Sequence, residues 1–108
     1  MGEASREIIE MVRDFKERAQ GKHGLKKVVL FGSHATGCAG KESDIDLLVI
    51  VDGFKGRADM MSKLSREWHI TQKKKMPVDF ACFTSKEYDK LSKHASIVRQ
   101  ALQEGITI

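Results

Sequence analysis

Two short apolar runs of the chain are separated by residues suited to binding phosphate and metal. The first run ends at Gly32 and Ser33, and ten residues later Asp44 and Asp46 open the second run. Glycine has no Cβ, so a phosphate can approach its backbone closely. Carboxylate oxygens are the ligands that hard divalent cations such as Mg²⁺ prefer. The spacing therefore indicates a phosphate cradle beside a pair of metal-binding carboxylates.

The carboxylates can act together only if a strand presents them on one face. Residues two apart on a strand point the same way, so Asp44 and Asp46 would lie about 6.6 Å apart along it. Asp79, second in a later strand, can join them from the neighbouring strand. Three converging carboxylates repel one another unless a cation lies between them. Two Mg²⁺ ions about 3.5–4 Å apart would clamp the attacking and leaving oxygens of an in-line displacement.

The Gly-Ser pair adds donors to the same place. If a short helix begins near Ser33, its free N–H groups favour an anion, and the hydroxyl adds one more donor. Each feature alone has an ordinary explanation. An Asp-x-Asp pair is typical of a solvated strand end, and a single acid such as Asp79 is common at the start of a strand. A Gly-Ser pair is typical of a turn followed by a helix N-cap. Only the combination indicates a nucleotide site.

The elements that must position these residues can be read from the periodicity. Apolar residues at helical spacing predict helices, and short continuous runs of apolar residues predict buried strands. We predict first a helix over 3–20, with Ser5 as its N-cap and with Gly21 and Gly24 ending it. A strand over 28–31, a Gly-rich loop over 32–43 with room for one helical turn, and a strand over 44–51 follow. The rest of the chain predicts a helix over 59–75, a strand over 78–83, a helix over 86–91 capped by Ser85, and a helix over 94–104.

Topology follows from the connections. The second and third strands are joined by a helix, which predicts a parallel pair with a right-handed crossover. The first and second strands are joined by a loop, and we expect them to be antiparallel neighbours. Gly32-Ser33, Asp44, Asp46 and Asp79 would then meet at one edge. The fold class is α/β, with a small mixed sheet flanked by helices.

Composition limits the class of protein. The chain has 108 residues, which predicts one domain over 1–108, and 41% hydrophobic with 31% charged residues predicts a folded one. The net charge of +4 favours anionic ligands without indicating nucleic acid. Cys38 and Cys82 lie in unrelated contexts, so we expect a reduced, cytoplasmic protein. The charged N-terminus excludes a signal peptide, and no apolar run is long enough to span a membrane.

The pattern G-S-x10-D-x-D over two strands, with Asp79 on a third, resembles the nucleotidyltransferase superfamily of DNA polymerase beta. In size and detail the chain is most similar to the minimal nucleotidyltransferase branch of that superfamily. The resemblance covers nearly the whole chain, including the strand that begins Pro77-Val78-Asp79-Phe80 and the ending Glu104-Gly105-Ile106. It implies a polymerase-beta-like nucleotidyltransferase fold.

The resemblance also implies an activity and a set of roles. The reaction is transfer of a nucleoside monophosphate, typically AMP from ATP, to a hydroxyl group with release of pyrophosphate. Gly32 and Ser33 would hold the triphosphate, and the two acids of the Asp-x-Asp pair, Asp44 and Asp46, would ligate two Mg²⁺ ions. Asp79 would be a third ligand and help to remove the acceptor proton. Many relatives have arginine after Gly-Ser, and we expect His34 to replace it as a phosphate contact, fully charged only at lower pH.

Similar proteins are the small partner in bicistronic toxin–antitoxin pairs. Their toxin is an all-helical ribonuclease of the HEPN class, which the antitoxin silences by adenylylating a tyrosine. An alternative is an inhibitory partner that neutralises a toxin by contact, with weak or absent catalysis. Another is transfer to a small molecule, but 108 residues leave no room for the acceptor domain of such enzymes. The acceptor surface would then come from a partner chain or a homo-oligomer.

Nucleic acid is not an expected partner. The basic run at 73–75 is typical of a solvated helix end, although such runs also contact acidic proteins or RNA. Aromatic residues are only 6% of the chain and none alternates with this run, so a stacking platform for single strands is not indicated.

Overall fold

The computed structural model describes residues 5–37, 44–71, 76–94, 99 and 103–108. Residues 99, 103 and 104 are helical, and the bounds of four further helices and of four strands lie within these ranges. They are α1 (Arg6–His23), β1 (Leu25–Phe31), α2 (Ser33–Thr36), β2 (Ile45–Val51), α3 (Arg57–Thr71), β3 (Val78–Phe83), α4 (Ser85–Leu91) and β4 (Ile106–Thr107). The short helical turn expected after Gly32 is present as α2, and the third strand has its predicted bounds.

The four strands form one mixed sheet in the order β3-β2-β1-β4. β1 and β2 are antiparallel and β2 and β3 are parallel, which confirms both predictions. β4 was not predicted. Its two residues pair with β1, Ile106 opposite Leu30 and Thr107 opposite Val29, and the N–H of Ile108 donates to the carbonyl of Val28 at 2.9 Å. Two residues are too few to show the alternation of apolar and polar residues that predicts a strand. They form a strand only because they pair with β1, which is far away in the sequence.

The first helix has its predicted length but lies three residues further along the chain, over Arg6–His23 instead of 3–20. Ser5 is its N-cap, as expected, and its side chain accepts a hydrogen bond from the N–H of Ile8 at 3.1 Å. Gly21 does not end the helix, however, because a glycine inside a helix costs only about 1 kcal/mol relative to alanine. Gly24 ends it, with φ of 67° and its N–H bonded to the carbonyl of Gln20. The left-handed conformation that closes the helix is one that glycine adopts readily.

The main core lies between the sheet and the pair α1 and α3. The Phe15 ring packs edge-on against Trp68, with centroids 5.6 Å apart, and lies 5.4 Å from the Phe80 ring. The Trp68 indole N–H donates to the carbonyl of Met76 at 3.0 Å, which satisfies the one polar group of this buried side chain. The core therefore links the end of α3 to the strand that carries Asp79.

A smaller apolar cluster lies on the opposite face of the sheet. Val29, Leu48 and Ile50 are buried there, and Tyr88 and Leu91 of α4 pack against them. Successive strand residues alternate between faces, so even-numbered residues of β2 face this cluster. Asp46 therefore shares its face with α4 rather than with α1 and α3.

The start of α4 is tied to the sheet by hydrogen bonds. Thr84, not Ser85, is the N-cap, because its extended backbone lets its hydroxyl accept the N–H of Glu87. The Glu87 carboxylate in turn accepts the Thr84 N–H and pairs with both its oxygens to Arg57, at 2.5 and 2.6 Å. Arg57 also donates to the carbonyl of Cys82 at 3.0 Å. Ser85 instead binds Asp52, donating its N–H and hydroxyl at 2.8 and 2.7 Å.

These contacts predict a pH-dependent contribution to stability from Asp52. The hydrogen bond from the Ser85 hydroxyl, followed by contacts with Lys26 and the Ser85 N–H, lowers the pKa of Asp52 from 3.8 to about 2. A depressed carboxylate pKa stabilises the fold above the unfolded value and is lost as pH falls toward the folded value. We expect Asp52→Asn to lower the melting temperature near neutral pH, with the gap to wild type closing between pH 3.8 and about 2. Thermal melts over a pH series check this, and a gap independent of pH would contradict it.

Some predictions fall on residues that the structure does not describe. These are the basic run at 73–75, Cys38, and most of the predicted helix over 94–104, including its inward residues at 97, 98, 101 and 102. The helix over 59–75 begins earlier, at Arg57, and is described as far as Thr71. In the described part of the chain, no helix has the length and apolarity that crossing a membrane requires.

Candidate active site

Two of the three predicted metal-binding acids pair directly across the sheet. Asp46 of β2 lies opposite Asp79 of β3 on one side and opposite Phe31 of β1 on the other. We call the three acids Asp44, Asp46 and Asp79 the carboxylate row. Asp44 lies just before β2, two residues ahead of Asp46, and is exposed. The prediction that Asp79 lies at the same edge of the sheet as the Asp-x-Asp pair is confirmed. This outcome concerns the position of Asp79 and not its chemical role.

The surroundings of Asp46 raise the pKa of its carboxylate. Burial is the first cause that raises its pKa, and the negative charges of Asp79 and then Asp44 raise it further. His34 on α2 acts in the opposite direction and lowers it. The three acids and His34 are therefore close enough to interact electrostatically. An excess of negative charge at a partly buried carboxylate is an environment that a cation would stabilise.

Gly32 brings the predicted phosphate cradle into contact with the carboxylate row. Its φ of 74° and ψ of −156° lie in a region that essentially only glycine occupies. A Cβ built on Gly32 would overlap the Oδ2 atom of Asp46 and come within 3.2 Å of its Cγ. The sequence argument assigned this glycine to phosphate alone. The structure gives a second reason for it, which only the register between β1 and β2 could reveal.

The turn after Gly32 is held by its own backbone. The Gly32 carbonyl accepts the N–H groups of Ala35 and Thr36 at 3.1 and 3.2 Å. Ser33 and His34 are the first two residues of α2, and both are partly buried. N–H groups in the first turn of a helix have no acceptor within the helix. Ser33 and His34 thus stand where the sequence predicted phosphate donors, beside Asp46.

The carboxylate row provides suitable ligands for a divalent metal, although its side chains are not already grouped as a complete metal site. Among the described residues, no three histidine, cysteine, aspartate or glutamate side chains are grouped as a ready metal site. The oxygen-only donor set of Asp44, Asp46 and Asp79 nevertheless suits Mg²⁺, which takes few protein ligands and completes its shell with water and phosphate oxygens. After burial, the negative charges of Asp79 and Asp44 raise the pKa of Asp46, and a cation among the three acids would offset that repulsion. The residues therefore fit a magnesium–triphosphate complex.

An apolar layer supports the row from the same face. The next pairs along β2 and β3 are Leu48 with Ala81 and Ile50 with Phe83. Beyond them, the Lys27 ammonium of β1 donates to the Tyr88 hydroxyl at 2.8 Å. Sequence reasoning did not find this support, because it depends on which strand residues become neighbours. It holds the strands that carry the acids in a fixed register.

The charge at Asp46 predicts an unusual effect on stability. A carboxylate whose folded pKa is raised destabilises the fold once pH exceeds the unfolded value of 3.8, and the penalty is complete above the folded pKa. We therefore expect Asp46→Asn to raise the melting temperature of the metal-free protein at neutral pH, or to leave it unchanged. Melts in EDTA at neutral and acidic pH check this. A clear loss of melting temperature would show that Asp46 is a structural carboxylate.

Comparison with known proteins adds independent evidence. A protein family described as nucleotidyltransferase domain matches residues 8–108. A protein of Methanocaldococcus jannaschii named a putative protein adenylyltransferase is 33% identical over 99 residues, which are 91% of this chain and 90% of that protein. A second protein of that organism with the same description is 45% identical over 47 residues, 42% of this chain and 48% of its own length. The similarity thus spans about half of that second relative.

A solved structure shows the same fold. The crystal structure of a putative nucleotidyltransferase from Sulfolobus solfataricus matches with a TM-score of 0.56 and 24% identity. The match covers 99% of this chain and 89% of that one. The predicted fold class, a mixed sheet with flanking helices of nucleotidyltransferase type, is confirmed.

Proposed function

The chain belongs to the nucleotidyltransferase domain family, and from this premise we propose that it transfers AMP from ATP to a hydroxyl group on a partner protein. One new bond forms between the acceptor oxygen and the α-phosphorus. The bond between the α-phosphorus and the bridging oxygen breaks, and pyrophosphate leaves with that oxygen. The acceptor proton must go to a base.

One observation carries the proposal. Asp46 and Asp79 are paired across parallel strands, and Gly32 lies against the first of them. This arrangement supports a site in which a triphosphate lies along the turn at 32–34 and its reacting phosphate faces the acids. The +4 net charge of the chain is compatible with an anionic substrate.

Each residue has a proposed role. Gly32, Ser33 and His34 bind the triphosphate, the serine through its N–H and hydroxyl. Asp44, Asp46 and Asp79 hold Mg²⁺, with two ions in the complete site. The bound metal supplies charge neutralisation at the phosphates and polarises the reacting phosphoryl group. Asp79 is exposed beside Asp46, and it accepts the proton of the incoming hydroxyl.

The acceptor in this proposal is a tyrosine of a HEPN-type helical toxin, and the chain acts as its antitoxin in the cytoplasm. The relatives named as protein adenylyltransferases support a protein acceptor. A single domain over 1–108 would take its acceptor surface from the partner or from a second copy. The other parts of the proposal are the identity of the toxin, the tyrosine as acceptor and the cellular location, and they rest on the sequence resemblance.

The test begins with the gene beside this one. Its product, if small and helical, is purified and incubated with the chain, ATP and Mg²⁺, and its mass is measured. We expect a mass increase of one AMP group and release of pyrophosphate. A partner that binds tightly but gains no mass would contradict the transfer and support neutralisation by contact. AMP found only on a small-molecule acceptor would contradict the protein acceptor.

A further inference from the structure

Gly32 has a feature that phosphate binding does not require. The position that a side chain would take is already filled by the Asp46 carboxylate, as the overlap with Oδ2 shows. Building on the proposed function, we propose that Gly32 is a positioning residue for Asp46. Its missing side chain allows the carboxylate to occupy its place in the row, so Gly32 controls metal binding even before a nucleotide arrives.

The register of the sheet explains why this contact forms. Phe31 is directly opposite Asp46, so the next residue of the chain must pass beside the Asp46 side chain. There the chain turns into α2, and two N–H groups of that helix bind the Gly32 carbonyl. The turn is therefore anchored and cannot easily withdraw from the carboxylate. Any side chain at position 32 would push Asp46 out of line.

The burial of Asp46 agrees with this contact. Asp46 is partly buried, although Asp44, two residues before it, and Asp79, opposite it in the sheet, are both exposed. The backbone at Gly32 is packed against the same carboxylate. The turn of the predicted phosphate cradle therefore lies against a predicted metal ligand, and a side chain at position 32 would displace Asp46.

The alternative is that Gly32 serves only to let phosphate approach the backbone. The two possibilities differ when no nucleotide is present. If Gly32 positions Asp46, a side chain at position 32 must weaken metal binding by the free protein. If Gly32 only admits phosphate, the free protein must bind metal as well as wild type does, and only nucleotide affinity is lost.

Gly53 provides a matched control. It has φ of 78°, close to that of Gly32, so alanine is strained at both positions. A Cβ on Gly53 meets nothing within 4 Å, and Gly53 follows the opposite end of β2 from Asp46. Gly53→Ala therefore places a side chain at a positive φ, as Gly32→Ala does, but without the collision.

The first measurement is Mn²⁺ affinity without nucleotide, by electron paramagnetic resonance of the free ion. We expect Gly32→Ala to weaken binding about tenfold or more, the usual effect of removing support from a metal ligand, and Gly53→Ala to leave it unchanged. Wild-type Mn²⁺ affinity in folded Gly32→Ala would overturn the proposal.

The second measurement does not need metal at all. Asp46→Ala removes the atoms with which the new methyl group collides, so Gly32→Ala should lower the melting temperature less in that background than in wild type. Gly53→Ala should cost the same in both. Equal losses from Gly32→Ala in both backgrounds would overturn the proposal. If wild type binds no Mn²⁺, the metal assignment of the proposed function fails, and the melting series still decides the role of Gly32.

Discussion

Asp46→Asn is expected to lower AMP transfer on the order of a thousandfold or more, with the protein still folded. The metal provides several kcal/mol of transition-state stabilisation, and each 1.36 kcal/mol is a factor of ten in rate. Asparagine keeps the shape of the side chain beside Gly32 but removes the charge that would hold a cation. Asp44→Asn should have a loss of similar order. Single-turnover transfer rates at saturating ATP and Mg²⁺ measure the effect.

The control for this series must be an acid outside the site. Asp59 is suitable, because it pairs with Lys63 one turn away at 3.0 Å and both side chains are more than half exposed, at 65% and 52%. Such pairs contribute little to stability, so Asp59→Asn should keep full activity. Asp52 is unsuitable as a neutral control, since it holds the start of α4 through Ser85. Equal losses for Asp46→Asn and Asp59→Asn would mean general destabilisation rather than a site.

Removing divalent metal is expected to abolish transfer and to weaken ATP binding by about tenfold or more. A metal-free triphosphate would approach Asp44, Asp46 and Asp79 without a neutralising ion, and like charges at short range repel. Calorimetric titration of ATP with Mg²⁺ and with EDTA measures the difference. Pyrophosphate titrated under the same conditions should show the same dependence, because the repulsion acts on the phosphates and not on the base.

Equal affinity for ATP with and without Mg²⁺ would contradict the metal assignment. Asp79→Asn provides a further check on the physical cause. It removes one charge from the carboxylate row, so it should strengthen metal-free ATP binding while it weakens binding in the presence of Mg²⁺. A variant that weakens both would indicate that the nucleotide lies elsewhere.

Much of the fold was accessible from local patterns. The helical period of α1, the β-rich runs of β1 to β3 and the cap at Ser5 each depend on residues close in sequence, and each was predicted within a few residues. The kind of connection, a helix or a loop, was enough to predict which strand pairs are parallel and which are antiparallel. Apart from β4, which was missed, the errors occur at element ends. Gly21 versus Gly24 and Thr84 versus Ser85 are choices that depend on backbone angles and on partners such as Asp52, which sequence alone does not supply.

The candidate site divides in the same way. The types and spacing of Gly32, Ser33, Asp44 and Asp46 were sufficient to indicate phosphate and metal chemistry, because those residues lie on two consecutive elements. The sequence was not sufficient to predict how these residues lie relative to one another in space. That Asp46 faces Asp79, is partly buried, and fills the space beside Gly32 depends on strand register, and a shift of one residue would turn every side chain to the other face.

By itself, then, the sequence determined the chemical groups of the site and the order of the elements that carry them, since both follow from composition and from short-range period. Only the tertiary structure decided that β4 is the edge strand beside β1 and that Arg57 and Asp52 hold the start of α4. It also decided that Gly32 belongs both to the predicted phosphate cradle and to the surroundings of Asp46. These depend on contacts between residues far apart in the chain, such as Arg57 with Glu87 and Gly32 with Asp46. Such contacts form only when the whole sheet has assembled, and no local pattern encodes them.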